Sequence, residues 1–397
     1  MVNFDPTRLA AEFYEDPYPT YRALRETSPI HPVSNGYFLT RYADVRAVYR
    51  DPKAFSSDKR TQFAPIMGAG SPLFEHHTTS LVFNDPPLHT QVRRAIGNAL
   101  SPAIVTTMQG ELESIVTDLL QALPARADLV ADYAAAIPIE IIGNLLRIPQ
   151  ADRDPLRYWS LAILGALEAS PPVDVLTTGN QAVLDFLDYL EGLVEERSAT
   201  LKDTDDDIMA RLLRWEEAGV QLKAEALYHQ CIFLLNAGHE TTTNLIANAI
   251  ELMQRLPQVR AELLHEPYLI DGMIEEVLRF ESPNQLGNRT VVETTEYNDV
   301  TLPAGCVLTL CIGGANRDPD VFSDPETFDM RRQPNPHLAF GAGIHTCAGL
   351  HVARLEARIA IGQLLHLYPD FELDMNGCRR PQRARFRGWQ QLPARLY

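Results

Sequence analysis

Apolar residues recur every three or four positions through most of the chain, the spacing of helices that bury one face. After Cys347, in CAGLHVARLEARIAIGQLLHLY, Ala353, Ala357, Ile361 and Leu364 share one face while Arg354 and Arg358 repeat on another. A longer helix is predicted from about Lys223 to Leu256; no proline interrupts it, and at 1.5 Å per residue it runs roughly 50 Å. Two more are predicted, one over Tyr268 to Phe280 and one opening in NDPPLHTQVRRAIGNAL, where Asp85 is placed to cap and proline fits the first turn. Strand-like runs occupy only two places. IHPVSNGYFLT reads as a hairpin around Asn35-Gly36, and the stretch from Thr290 to Ile312 puts Pro303 and Gly305 in a turn between extended runs. The pattern predicts a mainly α protein with small β regions. No repeat or low-complexity linker divides it, so a single domain is expected over residues 1–397.

Composition narrows the function. At 45% apolar and 22% charged residues the chain can bury a large core, and a net charge of −17 argues against nucleic acid as a partner. Asp5, Arg8 and Glu12 stand where a signal peptide would be apolar, and no segment approaches ~18 uninterrupted apolar residues. A soluble, cytoplasmic protein with no membrane span is expected. Five cysteines without a CxxC pair make a disulfide framework unexpected.

Two stretches break the local rules. In FGAGIHTCAG, Phe340 to Gly349, glycines at 341, 343 and 349 surround Cys347 and let backbone approach a flat object closely. A helix expected directly after the cysteine favours a thiolate. Such a sulfur suits haem iron. Zinc held by His337, His345, Cys347 and His351 is the rival, but the spacing is not that of paired knuckles and leaves the glycines unexplained. Cys231, Cys306, Cys311 and Cys378 read as inert buried hydrophobes. The second stretch, AGHETTT, sets a glycine, an acid and three threonines in the middle of the long helix. By itself this reads as a kink or a packing notch.

Phe340-x-x-Gly343-x-His345-x-Cys347-x-Gly349 resembles the haem-binding signature of the cytochrome P450 superfamily, and further matches in the same order extend over nearly the whole chain. The resemblance implies the cytochrome P450 fold, with haem b between the long central helix and the helix of the cysteine loop, and Cys347 as the axial thiolate. Ala237 and Gly238 then match the small residues beside dioxygen, and Glu240 and Thr241 the acid–alcohol pair that delivers protons. His239 is expected to face away. His89 and Arg93, four apart on one helix face, match propionate ligands, as do Arg289 and His345; Phe340, Gly341 and Gly349 complete the haem contacts. Glu276-Val-Leu-Arg279, which alone reads as a surface ion pair, matches a buried structural lock closed by Arg332, with Arg331 the alternative. ANRDP at 315–319 matches another family segment, while the usual arginine of the following P-x-R-F element is replaced by Thr327.

The implied function is insertion of one oxygen atom from O2 into a small apolar substrate, by hydroxylation, epoxidation or dealkylation. No glycine-rich nucleotide fingerprint or iron–sulfur cysteine cluster is present, so electrons are expected from a separate iron–sulfur ferredoxin with an NAD(P)H-dependent reductase. Two other classes compete: a haem-thiolate peroxygenase or isomerase that does not reduce O2, and a non-enzymatic helical binding protein. The first would act without electron donors; the second would be colourless. Arg379, Arg380, Arg383, Arg385 and Arg387 read as a solvated basic turn, with Arg385 or Arg387 clamping a substrate carboxylate as the alternative.

Overall fold

The structure, a computed structural model, describes residues 4–168, 170–205, 207–214, 216–217, 220–221 and 224–397. Helices dominate and the sheets are small. The chain groups into two compact units, one comprising the chain up to Ser56, Gly110–Ile137 and Thr241–Tyr397, the other Ser57–Gln109 and Pro138–Glu240.

The first unit contains the larger sheet. Strands β1 (Ile30–Val33) and β2 (Gly36–Leu39) form the expected hairpin, and β3 (Phe55–Ser56), β4 (Leu286–Val291) and β5 (Val307–Cys311) complete the order β1-β2-β5-β4-β3. Gly36 lies against the backbone of Val307, where a Cβ would meet the carbonyl oxygen at 1.9 Å. The second β region starts at Leu286, before the expected Thr290, because Gly287 and Asn288 already pair with Leu310 and Thr309. Helix α1 (Tyr42–Arg50) packs its Val45 and Val48 under this sheet with Leu308 and Leu310.

The second unit is helical: α2 (Pro72–Thr79), α3 (Leu88–Ala99), α5 (Asp154–Gly165) and α6 (Val173–Thr200), with most of α4 (Ala136–Leu145). Trp159 of α5 stacks on Phe186 of α6 at 5.0 Å. Asp85 does not cap α3 as expected. Its carboxylate accepts from the Ser57 amide at 2.9 Å, and its carbonyl closes the first turn instead.

Helix α7 (Ala224–Arg255) is the predicted long helix; the expected start at Lys223 lies outside the described residues. It belongs to the second unit as far as Glu240 and to the first from Thr241. Helix α8 (Ile270–Phe280) begins two residues later than expected, because Pro267 opens a separate 3-10 turn. Helix α9 (Leu350–Leu367) begins three residues after Cys347, with Gly349 at its N-cap. No helix among the described residues is long and apolar enough to cross a membrane.

Candidate active site

The cysteine loop takes its shape from two glycines. Gly341 and Gly343 have φ of +67° and +73°, a region that costs residues with a Cβ. Gly343 also presses on the end of α1, where a Cβ would lie 2.4 Å from the Tyr49 carbonyl oxygen. The Cys347 amide donates to Phe340 O at 2.9 Å and closes the loop, leaving Cys347 half-buried. Replacing Gly343 by alanine is therefore expected to move the loop off Tyr49, lowering haem content in the purified protein at least several-fold; a fully loaded Gly343→Ala protein would contradict this.

Phe340 is held from outside. Arg354 of α9 lies over its ring at 4.7 Å and grips Glu275 of α8 with two hydrogen bonds of 2.6 and 2.7 Å. His337 adds a contact to Glu275 at 3.2 Å. Burial pushes the Glu275 carboxyl up, but Arg354 and His337 outweigh it and bring it down to about 2. These bonds commit His337 to a carboxylate rather than to a zinc set, and no group of three His, Cys, Asp or Glu among the described residues is arranged for a metal ion.

Tyr49 supports a second candidate. The guanidinium of Arg289, buried on β4, lies 4.9 Å from the Tyr49 ring centroid, and Gly287 leaves room for the Tyr49 hydroxyl. The cysteine loop, on its backbone carbonyl, and Arg289, over its ring, thus share Tyr49, which the sequence reading missed because Tyr49 lies 240 residues before Arg289 and has no motif of its own. His345 sits half-buried in the short 3-10 turn Gly343–His345. In the second unit, α3 presents His89, buried, and Arg93, half-buried, one turn apart, while Arg94 is exposed.

Along α7, Leu234, Ala237, Gly238 and Thr241 share one face and stay partly or fully exposed in a helix otherwise largely buried. Gly238 also accommodates Ile142 of α4, whose Cδ1 a Cβ would meet at 2.5 Å, so its small size serves packing as well. His239 points into the protein, 3.3 Å from Ser160 Oγ, and burial pushes its pKa down to about 3. Glu240 is buried, roughly 100° round the helix from Thr241. Thr242 hydrogen-bonds the buried Glu356 of α9, whose carboxyl burial raises to about 8. The helices bearing Thr241 and following Cys347 are thereby tied together.

The E-x-x-R element is a buried hub. Glu276 and Arg279 are fully buried and joined by bonds of 2.6 and 2.8 Å. Glu276 also accepts from Arg332 Nε at 3.2 Å, the Asp329 amide at 2.9 Å and Asn335 at 3.1 Å. Arg331 turns outward to Glu262 and Glu266. Arg279 donates to the carbonyls of Asn316, Pro325 and Thr327. Position 327 contributes its backbone, which explains why a threonine serves there.

The arginine-rich C-terminal segment is neither a solvated turn throughout nor a clamp at Arg387. Arg387 is 7% exposed, pairs with Glu281 at 2.7 Å and donates to the carbonyls of Tyr14 and Glu15. Arg380 stacks on Trp389 at 3.8 Å, and Arg385 donates to Leu286 O at 3.2 Å. Glu281 is held below the usual carboxylate range: burial raises it, but Arg387, Arg380, Arg317 and Arg255 outweigh that. The sequence reading missed Glu281 because these arginines come from three separate segments.

These residues fit haem. None of the five cysteines is in a disulfide; Cys231 and Cys311 are sealed in the core, where burial pushes each to about 12, and burial raises Cys378 to about 11. Burial also raises Cys306. Cys347 differs by its loop, where space beside Gly341 and Gly349 lets a flat group approach the backbone. Arg289 and His345 in the first unit, and His89 and Arg93 in the second, are residue types that pair with carboxylates.

Comparison with known proteins agrees. The family model Cytochrome P450 matches residues 172–388. The chain is 35% identical over 378 residues to the cytochrome P450 monooxygenase PikC of Streptomyces venezuelae, covering 93% of this chain and 88% of that protein. It is 36% identical to the vitamin D(3) 25-hydroxylase of Pseudonocardia autotrophica, covering 92% and 89%. P450BioI, solved in complex with acyl carrier protein carrying hexadec-9Z-enoic acid, superposes with a TM-score of 0.90 at 30% identity over 98% of this chain and 99% of that one. CYP109E1 from Bacillus megaterium, solved with testosterone, gives 0.88 at 30% identity over 98% and 100%. Matched by this family model over residues 172–388 and 35% identical to PikC over 93% of its length, the chain belongs to the cytochrome P450 family of monooxygenases.

Proposed function

We propose that this monooxygenase hydroxylates an apolar substrate, with Cys347 as the residue whose thiolate would hold haem b. The observation that carries the proposal is the Cys347 loop, set by positive-φ Gly341 and Gly343 on the same Tyr49 that supports Arg289. Haem held by a cysteine thiolate supplies O2 activation and oxidation of an unactivated C–H bond.

The chain supplies position, charge and protons. Phe340, Gly341 and Gly349 would lie against the flat group, and Arg289, His345, His89 and Arg93 would hold its carboxylates. Leu234, Ala237, Gly238 and Thr241 offer a narrow apolar face with one hydroxyl, and the small residues leave room beside it. Thr241 Oγ1 holds and passes a proton, and Glu240, buried one residue earlier, resupplies it. Glu276, Arg279 and Arg332 keep the segment before the loop in place.

The substrate class follows from the apolar face and from relatives whose names carry vitamin D(3), testosterone and a hexadecenoyl chain. Electrons come from a separate iron–sulfur ferredoxin and its NAD(P)H-dependent reductase. With Arg387 committed to Glu281, a fatty acid and its methyl ester should bind alike, within about three-fold by optical titration.

The test is coupling. Thr241→Ala, with ferredoxin, reductase and NAD(P)H, should keep consuming O2 while product per O2 falls about ten-fold or more, as expected when a positioned proton donor is lost. Unchanged coupling sinks the assignment of Thr241. Wild-type turnover without any electron donor would favour the isomerase or peroxygenase class instead.

A further inference from the structure

Beyond Glu240, α7 carries Asn244, Asn248, Glu251 and Arg255. At 3.6 residues per turn, these five positions fall within an arc of about 80°. Glu240, Asn244, Asn248 and Glu251 are all at least nine-tenths buried, whereas the Arg255 side chain is 42% exposed. A polar stripe inside a core is costly unless every group on it is satisfied.

Among the described residues, Asn248 Oδ1 and Glu251 Oε2 have no hydrogen-bond partner. Both side chains are otherwise anchored. The Asn248 amide donates to Glu281 O and Arg387 O, each at 3.0 Å, and the Glu251 carboxylate meets Arg255 Nε at 3.0 Å. Room is kept beside Asn244 by Gly388, whose Cβ, if present, would lie 1.8 Å from Asn244 Oδ1. Buried acceptors of this kind are the sites that ordered water fills.

We propose that this stripe is the proton-entry route to Glu240, running from solvent at Arg255 through Glu251 and through water held at Asn248. Successive side chains are separated by about 4.5–6 Å of helix rise, the span of one water making two hydrogen bonds of about 2.8 Å. A proton taken from bulk water by the Glu251 carboxylate passes through the bridging waters to the Glu240 carboxylate, and Glu251 is reprotonated from solvent. The groups facing Glu251 suit that exchange: Arg255 on its own helix, Glu281 after α8, and Arg380 and Cys378 in the C-terminal segment. Burial, assisted by Glu281, raises the Glu251 carboxyl against the pull of Arg255 and Arg380.

The inference rests on the relay role of Glu240, and the experiment separates the two. In the holoenzyme, Glu251→Gln, which keeps an acceptor for Arg255, should lower product per O2 about five-fold and raise the solvent isotope effect on turnover. Glu251→Asp should restore at least half of the coupling. A high-resolution crystal structure of the wild-type holoenzyme should show water within hydrogen-bond distance of both Asn248 Oδ1 and Glu251 Oε2. If those atoms are dry, or if Glu251→Gln couples like wild type while Thr241→Ala and Glu240→Gln do not, the route is wrong and the relay stands. Normal coupling in all three variants overturns both.

Discussion

Cys347→Ser is expected to abolish turnover and to remove the red-shifted optical band that the carbon monoxide adduct of a reduced haem-thiolate protein shows. A serine hydroxyl is not deprotonated near neutral pH and cannot replace the electron-rich sulfur. The loop should survive the change, because it is closed by the Cys347 amide and Phe340 carbonyl and not by the side chain. The variant should therefore fold with an unchanged far-ultraviolet spectrum, which distinguishes lost ligation from lost structure. Retained turnover with the same band would remove Cys347 from the site.

Arg279→Met is expected to be the most damaging change remote from the haem. Both Arg279 and Glu276 are fully buried, so removing the Arg279 cation leaves Arg332 to hold the buried carboxylate, at a cost of up to about 3–5 kcal/mol. It also orphans the carbonyls of Asn316 and Pro325, while Thr327 O keeps Arg332. Against a total stability of about 5–15 kcal/mol, that should shift the urea midpoint markedly or prevent soluble expression. Arg331→Ala, at the neighbouring but solvent-facing position, should leave the midpoint unchanged. Equal effects of the two substitutions would show that the hub carries no special weight.

The legible parts of this molecule were those written in short segments. Periodicity located the long helix and the helix after Cys347 to within three residues, because burial of one face imposes its spacing on neighbours a turn apart. The glycines around Cys347 were equally readable, since a positive φ restricts the residue at that position whatever surrounds it. Helix starts were less legible. Asp85 has the chemistry of a cap, yet the Ser57 amide, distant in sequence, takes its carboxylate.

By itself, the order of residues determined the family, set one cysteine apart from the other four and marked where a helix tolerates an acid and an alcohol. Only the tertiary structure decided which charges are spent on other charges. Arg332 rather than Arg331 reaches Glu276, Arg387 answers Glu281 instead of a substrate, and Tyr49 carries both the cysteine loop and Arg289. The physical reason is that a buried charge must find its partner in space, and sequence spacing says nothing about partners brought in from distant segments.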